Sequence, residues 1–334
     1  MLRRMGSAIP SLIGVIIATF LLSRALPGDP AVYFAGPAAN AESVQQVRES
    51  LGLDKSVPEQ FALYVWDLAH GSLGTSLTTG QPVADDLLQR LPASMELTFA
   101  ALIVAIVVAV PLGVFAAVRP SSFVDHFCRG TVTVAAAFPT FFVALLLVYV
   151  FYYLLGWAPQ PLGRIDEIYY VAPDTVTGFY LIDTLLAGDS ESFRGALAQL
   201  VLPTISLALF ALAPIARMTR ASMLTALGSD FVRTARANGL SGATVLFTYG
   251  FRNALLSITN IMGMIFSFLL GSNVLIEQVF GWPGIGAYAV SAVIASDYAA
   301  VQGFILMMAV IYVLLNLVVD LLAGLIDPRV RFEG

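Results

Sequence analysis

Ser-Asp-Phe-Val-Arg-Thr-Ala-Arg-Ala-Asn-Gly-Leu, residues 229–240, continues to Arg252-Asn253-Ala254 and is a polar passage lodged between two strongly apolar ones. The spacing predicts a short helix. Ser229 or Asp230 can cap the free N–H groups at its start, Ala235 and Ala237 favour its interior, and Gly239 can supply the left-handed residue that ends it. About two turns result. Phe231, Thr234 and Ala235 are expected on one side, with Arg233 and Arg236 flanking it, so that an apolar knob sits in a basic collar. A helix of this kind suits docking to a soluble partner. The same residues also suit an ordinary cytoplasmic loop whose arginines set topology.

Working outward, the surroundings are those of a membrane protein. Of the 334 residues 58% are hydrophobic and only 12% charged, against an apolar share of about 45–50% in soluble domains. The apolar residues come in blocks of roughly 20, the length a helix needs to cross a bilayer, which excludes the alternating strands of a porin. The net charge of −5 conceals a segregation by segment and gives no support to nucleic-acid binding. Cys128 is the only cysteine, and His70 and His126 are the only histidines, so no disulfide within the chain and no zinc-site spacing is available. No cofactor is expected in the chain.

The expected fold class is an all-α integral membrane protein with six transmembrane helices. The first runs from Ala8 to Leu22 behind Arg3 and Arg4; a cleaved signal peptide has the same signature, but the apolar run is long for one and is read as a retained helix. Arg24 can snorkel at its outer end. Leu26-Pro27-Gly28-Asp29-Pro30 breaks it, and a mainly acidic outer segment follows to Ser94. Two amphipathic helices are legible there, one on Val44, Val47 and Leu51 closed by Gly52, the other from Pro58 through Trp66. The glycine-rich passage His70 to Ser76 reads as a surface turn or as a place for a receptor to dock. Further spans are expected at Leu97–Val118, at Thr131–Leu155 with a proline kink at Pro139, at Leu200–Ala216, at Ile258–Ile276, and from Val301 to Ile326. Gly263 and Gly271 give small surfaces for close helix approach. Gly156–Gln199 reads as a solvated acidic outer loop, and Trp282 as an interfacial anchor.

Six spans place both termini in the cytoplasm, and the basic residues agree. Arg3, Arg4, Arg119, Arg129, Arg217, Arg220, Arg233, Arg236, Arg252, Arg329 and Arg331 then lie inside, while Arg48, Lys55, Arg90, Arg164 and Arg194 lie outside. The positive-inside rule selects this orientation.

Arg-Thr-Ala-x-x-x-Gly at residues 233–239, followed by Arg252-Asn253-Ala254, resembles the coupling loop of membrane subunits of binding-protein-dependent ABC importers. Arg233 and Thr234 depart from the general Glu-Ala-Ala form in the manner of the peptide and nickel branch, and Ser257 stands where that branch usually has proline. The passages Gly71 to Val83, Phe280 to Gly286 and Asp327 to Arg331 resemble other signatures of the family, with Ser72 replacing a usual aspartate. Thr177 to Thr184 resembles the dipeptide permeases within the branch. The resemblance implies the type I ABC importer permease fold, in the plasma (inner) membrane of a bacterium. Residues 1–96 would hold the first transmembrane helix and outer segment, 97–327 the five-helix permease core with its cytoplasmic coupling loop at 217–255, and 328–334 a cytoplasmic tail. It further implies a heterodimer with a second homologous permease subunit, two ATP-binding subunits carrying ATP and Mg, and an extracytoplasmic peptide-binding protein. The coupling contact is expected at Asp230, Phe231, Arg233, Thr234, Ala235, Arg236, Gly239 and Leu240.

The residues themselves favour an external energy source. No Gly-x-x-x-x-Gly-Lys loop is present, and the only lysine, Lys55, is in an outer segment. The chain is therefore expected to be a non-catalytic translocation subunit whose docked helix transmits ATPase closure. An ion-coupled secondary transporter is the alternative of another class, with Asp320 as its deepest carboxylate and Glu96 and Glu277 at helix ends. An intramembrane enzyme lacks a His cluster or a paired-aspartate arrangement, and a passive channel leaves the loop unexplained. Dipeptides or short oligopeptides are the expected solute, with nickel or another small solute as the other choice.

Overall fold

The computed structural model describes residues 2–25, 29–36, 38–123, 125, 126, 128, 130 and 137–326. Within them the chain is helical: α1 Leu2–Ala25, α2 Pro30–Ala35, α3 Ala41–Ser50, α4 Val57–Ala69, α5 Val83–Val118, α6 Thr140–Leu147, α7 Tyr180–Leu186, α8 Ser190–Leu227, α9 Asp230–Ala237, α10 Arg252–Phe280, α11 Ile285–Ile294 and α12 Tyr298–Ile326. Two π-helical turns, Val148–Leu154 and Val245–Phe251, extend α6 and precede α10. Four segments are long and apolar enough to cross a membrane: Val83–Val118, Ser190–Leu227, Gly242–Phe280 and Tyr298–Ile326. Leu12–Leu22 and Thr140–Leu154 are shorter apolar helices. The expected C-terminal signature at 327–331 and residues 131–136 of the third expected span lie outside the described residues, as does Arg129.

Several expected boundaries shift. α5 begins at Val83 rather than near Leu97, because Asp85 and Asp86 sit in its first turn, where the positive end of the helix dipole favours carboxylates. α8 likewise starts well before Leu200, capped by Asp189, which accepts from the N–H groups of Glu191 and Ser192. Pro139 stands immediately ahead of α6, where its φ of −60° and missing N–H suit the position before a first turn. The two amphipathic helices are present as α3 and α4, but of the expected stripe on α3 Val44 and Val47 are half-buried while Leu51 is exposed just past the helix end. α3 is stopped by Gly52 at φ +64°, and α4 opens on a capping box between Ser56 and Glu59.

The chain divides into two units. The first combines Met1–Pro92 with Pro283–Val313. Its core holds Val83, Leu87, Ile285, Tyr288, Ala292 and Val301, and a Cβ on Gly303 would come within 2.4 Å of Val83 Cγ1. Here the glycine-rich passage folds onto Asp297, whose Oδ2 accepts from Ser76 Oγ at 2.7 Å, Thr78 Oγ1 at 2.8 Å and Thr78 N at 3.1 Å. Ser76 and Asp297 are buried, while Gly71 and Ser72 stay exposed. The turn is thus anchored from within by a residue 221 positions away.

The second unit combines Ala93–Trp282 with Leu314–Gly334. Its core is lined by the small face of α5 (Ala93, Leu97, Ala101, Ala105, Ala109) against Leu207, Ala211 and Ile215 of α8 and Ile261, Ile265 and Leu269 of α10. Alanines at a spacing of four let helices approach closely where lipid supplies no hydrophobic drive of its own. Gly113 fits the same purpose, since a Cβ there would lie 2.7 Å from the Ala216 carbonyl oxygen. Gly263 packs on Val319 in the expected manner, since a Cβ there would come within 2.2 Å of Val319 Cγ2, whereas a Cβ on Gly271 would meet nothing within 4 Å. Trp282 is a core residue and not an interfacial anchor: it is 1% exposed and its indole N–H donates to the Ala93 carbonyl at 2.9 Å.

Candidate functional site

The polar passage forms α9, eight residues long, preceded by Ser229 and followed by Asn238. Ser229 does not cap it; its hydroxyl donates back to the Ala226 carbonyl. Asp230 stands in the first turn instead, with Arg233 3.4 Å away, and Thr234 Oγ1 donates to the Asp230 carbonyl at 3.0 Å. Gly239 has φ +76°, and the N–H of Leu240 donates to the Ala235 carbonyl, which closes the helix in the left-handed manner.

The helix has two faces, and the seated one is Val232 with Ala235, exposed by 0% and 3%. They pack on Val245, with Leu227 and Tyr249 alongside. The expected grouping of Phe231, Thr234 and Ala235 is therefore split by the structure. Phe231 and Thr234 are exposed with Asp230, Arg233, Arg236, Gly239 and Leu240, while Ala235 faces the chain's own interior. The outward surface is Phe231, 45% exposed, between two arginines.

What α9 sits on is held firmly. The π-helical turn Val245–Phe251 returns the chain to α10, with Ser241 capping its approach through a bond from Thr244 N at 3.2 Å. A Cβ on Gly250 would meet Leu227 Cδ2 at 2.9 Å and Met223 Cε at 3.3 Å, so the turn lies directly on the end of α8. Arg220 on that helix makes two bonds to Asp125, at 2.6 and 2.9 Å, and Asp125 is buried. A fork of this geometry is stronger than a single charged bond. Nothing in the sequence singles out Asp125, one acid in a basic turn.

The carboxylates read as ion-coupling candidates are engaged in structure. Glu96 is inside α5 rather than at an end, and accepts from Arg164 Nη2 at 2.6 Å and from Leu181 N at 2.9 Å. Arg164 is 8% exposed, donates also to the Gly178 carbonyl at 2.7 Å and lies 3.7 Å from the Tyr180 ring centroid. It is a buried ion, not a solvated loop cation. Glu277 is buried too and accepts from Ser94 Oγ. Asp320 is exposed on α12. Among the described residues no group of three His, Cys, Asp or Glu is placed to hold a metal ion.

Asp183 corrects the reading of 156–199 as a merely solvated loop. It is buried and accepts from Thr177 N at 2.8 Å, Thr177 Oγ1 at 2.7 Å, Gly178 N at 2.9 Å and Val176 N at 3.4 Å. Burial alone would raise its pKa, but the bonds from Thr177, Gly178 and Val176 together hold the carboxyl below its ordinary value. Stability from this group is then whole above the ordinary carboxylate range, about pH 4, and is lost as pH falls through the lower folded value. Asp183→Ala, which strands those donors, is expected to cost on the order of 3 kcal/mol at pH 7. Thermal unfolding in detergent should show the two proteins converging in acid; a gap that stays constant from neutral pH to about pH 3 would sink the account.

With this geometry in place, comparison with known proteins is direct. The family described as binding-protein-dependent transport system inner membrane component matches residues 109–332, and the corresponding N-terminal membrane component matches residues 1–98. A probable D,D-dipeptide transport system permease protein of Escherichia coli K12 is 43% identical over 321 residues, 96% of this chain and 94% of the relative. The di/tripeptide transport system permease protein of Pseudomonas aeruginosa UCBPP-PA14 is 43% identical over 339 residues, 99% and 98% of the two chains. The dipeptide transport system permease protein of E. coli K12 is 38% identical over 335 residues, again 99% and 98%.

Proposed function

The chain belongs to the family of inner membrane components of binding-protein-dependent transport systems, and on that premise we propose that it forms half of an ATP-driven path for dipeptides or short oligopeptides. It is a multi-pass inner-membrane permease subunit of the peptide class of ABC importers, and non-catalytic. The finer reading is that six spans, with both termini cytoplasmic, pair with a second homologous permease subunit. Two ATP-binding subunits grip α9 from the cytoplasm, and an extracytoplasmic peptide-binding protein delivers the solute. ATP and Mg belong to the partner subunits.

One observation carries the coupling role: α9 turns Val232 and Ala235 inward onto a rigid seat and leaves Phe231, Arg233, Thr234, Arg236 and Leu240 outward. An aromatic anchor ringed by arginine is the composition of an interface centre. Its seat leads through one π-helical turn into α10, so a push on α9 reaches a long apolar helix with little slack. Asp230 and Arg233 orient the start of the contact, and Gly239 ends it. Peptide as the solute is supported by the full-length likeness to relatives named for di- and tripeptides.

Purification of the tagged chain from its native membrane tests the assembly. A second permease and two ATP-binding subunits should accompany it, and proteoliposomes supplied with the solute-binding protein should take up dialanine on ATP in the presence of a protonophore. A chain that arrives alone and carries dialanine only under an ion gradient would replace this reading with a secondary transporter.

A further inference from the structure

We propose, resting on the peptide reading above, that the first unit contains a subsite for a short zwitterionic peptide, in a cleft where Arg24 and Tyr64 receive the carboxylate. The cleft has a volume of about 710 Å³ and is lined by Arg24, Phe34, Leu63, Tyr64, Tyr298 and Gln302 among others. That size falls among small-molecule sites, about 300–1,000 Å³. Arg24 is held in place: its Nε and Nη2 donate to Gln60 Oε1 at 3.0 and 2.8 Å, and its guanidinium lies 4.5 Å from the Phe20 ring centroid and 5.3 Å from that of Tyr298. A planar cation fixed in this way matches a carboxylate.

Tyr64 supplies the second observation. Its ring stacks on Phe20 at 5.8 Å, and its hydroxyl is buried with no hydrogen-bond partner. Burial pushes the phenol up to about 12, with Arg24 pulling the other way, so the group keeps its proton and remains a donor. A buried donor left unused is costly, and phenylalanine would fill the same space without that cost. A ligand acceptor would satisfy the donor. Phe34 and Leu63 give apolar walls for side chains, and Asp67, exposed at the rim, can take the amino group.

The test uses the membrane complex in lipid nanodiscs, washed free of the soluble binding protein, with radiolabelled dialanine as probe. Tyr64→Phe and Arg24→Gln are each expected to weaken dialanine binding about ten- to a hundredfold, as loss of a bond to a charged group does. Tyr64→Phe should melt at or above the wild-type temperature, which separates lost binding from lost folding. Dialanine amide, lacking the carboxylate, should compete at least about tenfold less well. Equal binding by Tyr64→Phe, equal competition by the amide, no wild-type binding at millimolar dialanine, or a co-purified phospholipid that excludes dialanine would each overturn the subsite. ATP-driven dialanine uptake in the same preparation reports separately on the peptide reading: uptake that persists while Tyr64→Phe binds normally overturns the subsite alone.

Discussion

Phe231→Asp is expected to release the ATP-binding subunits while leaving the membrane subunit as stable as before. The side chain is 45% exposed, so its replacement removes little internal packing, and surface substitutions of this kind stay within about 0.5 kcal/mol. At an interface centre the same change removes an aromatic anchor, worth about 2 kcal/mol or more, and buries a charge against the partner. Association should weaken at least about thirtyfold and ATP-driven uptake should fall by about tenfold or more. Ala235→Asp gives a different pattern, because position 235 is seated against Val245 beside Leu227 and Tyr249. A carboxylate there has no partner and should destabilise the loop by several kcal/mol, with uptake lost through unseating. The pair is decided by co-purification and melting measured together. Phe231→Asp retaining its ATP-binding subunits at wild-type stoichiometry would refute the outward contact, and an Ala235→Asp protein with unchanged melting would refute the seat.

That contrast shows what was legible from residue types and what was not. The existence and ends of α9 follow from local chemistry: a polar run, alanines within, and a glycine that alone accepts φ +76° without strain. Its facing does not. In eight residues the apolar side is defined by one or two positions, and Phe231, the larger side chain, draws the reading away from Val232, which the fold buries. The four helices long and apolar enough to cross a membrane follow from their apolar runs, but their ends do not, since hydropathy records the apolar stretch and α5 and α8 continue beyond it with Asp85, Asp86, Glu191 and Arg194. The glycine-rich turn is legible in the sequence, yet its bond to Asp297 spans 221 positions and no local pattern announces such a pairing.

Arg164→Met is the second large effect, and it bears on the segment that looked least structured. In sequence Arg164 is one cation in an acidic loop, for which neutralisation should be nearly silent. In the fold it joins Glu96 of α5 to the Gly178 carbonyl and lies over Tyr180, while Gly163 N donates to the Phe280 carbonyl at 2.9 Å. Residues 163–181 are thus fastened at two places, to α5 and to the end of α10. Both charges are about 7% exposed, so removing one leaves the other buried without its counter-ion, at a cost of about 3–5 kcal/mol. Arg164→Met and Glu96→Leu should each lower the unfolding temperature in detergent markedly, whereas the double variant should recover most of the loss, because a buried pair replaced by apolar groups of similar size is often neutral. Single variants that melt like the wild type would return residue 164 to the solvated loop. A double variant no better than the singles would instead assign the stability to the bonds with Gly178 and Leu181, which neither methionine nor leucine can replace.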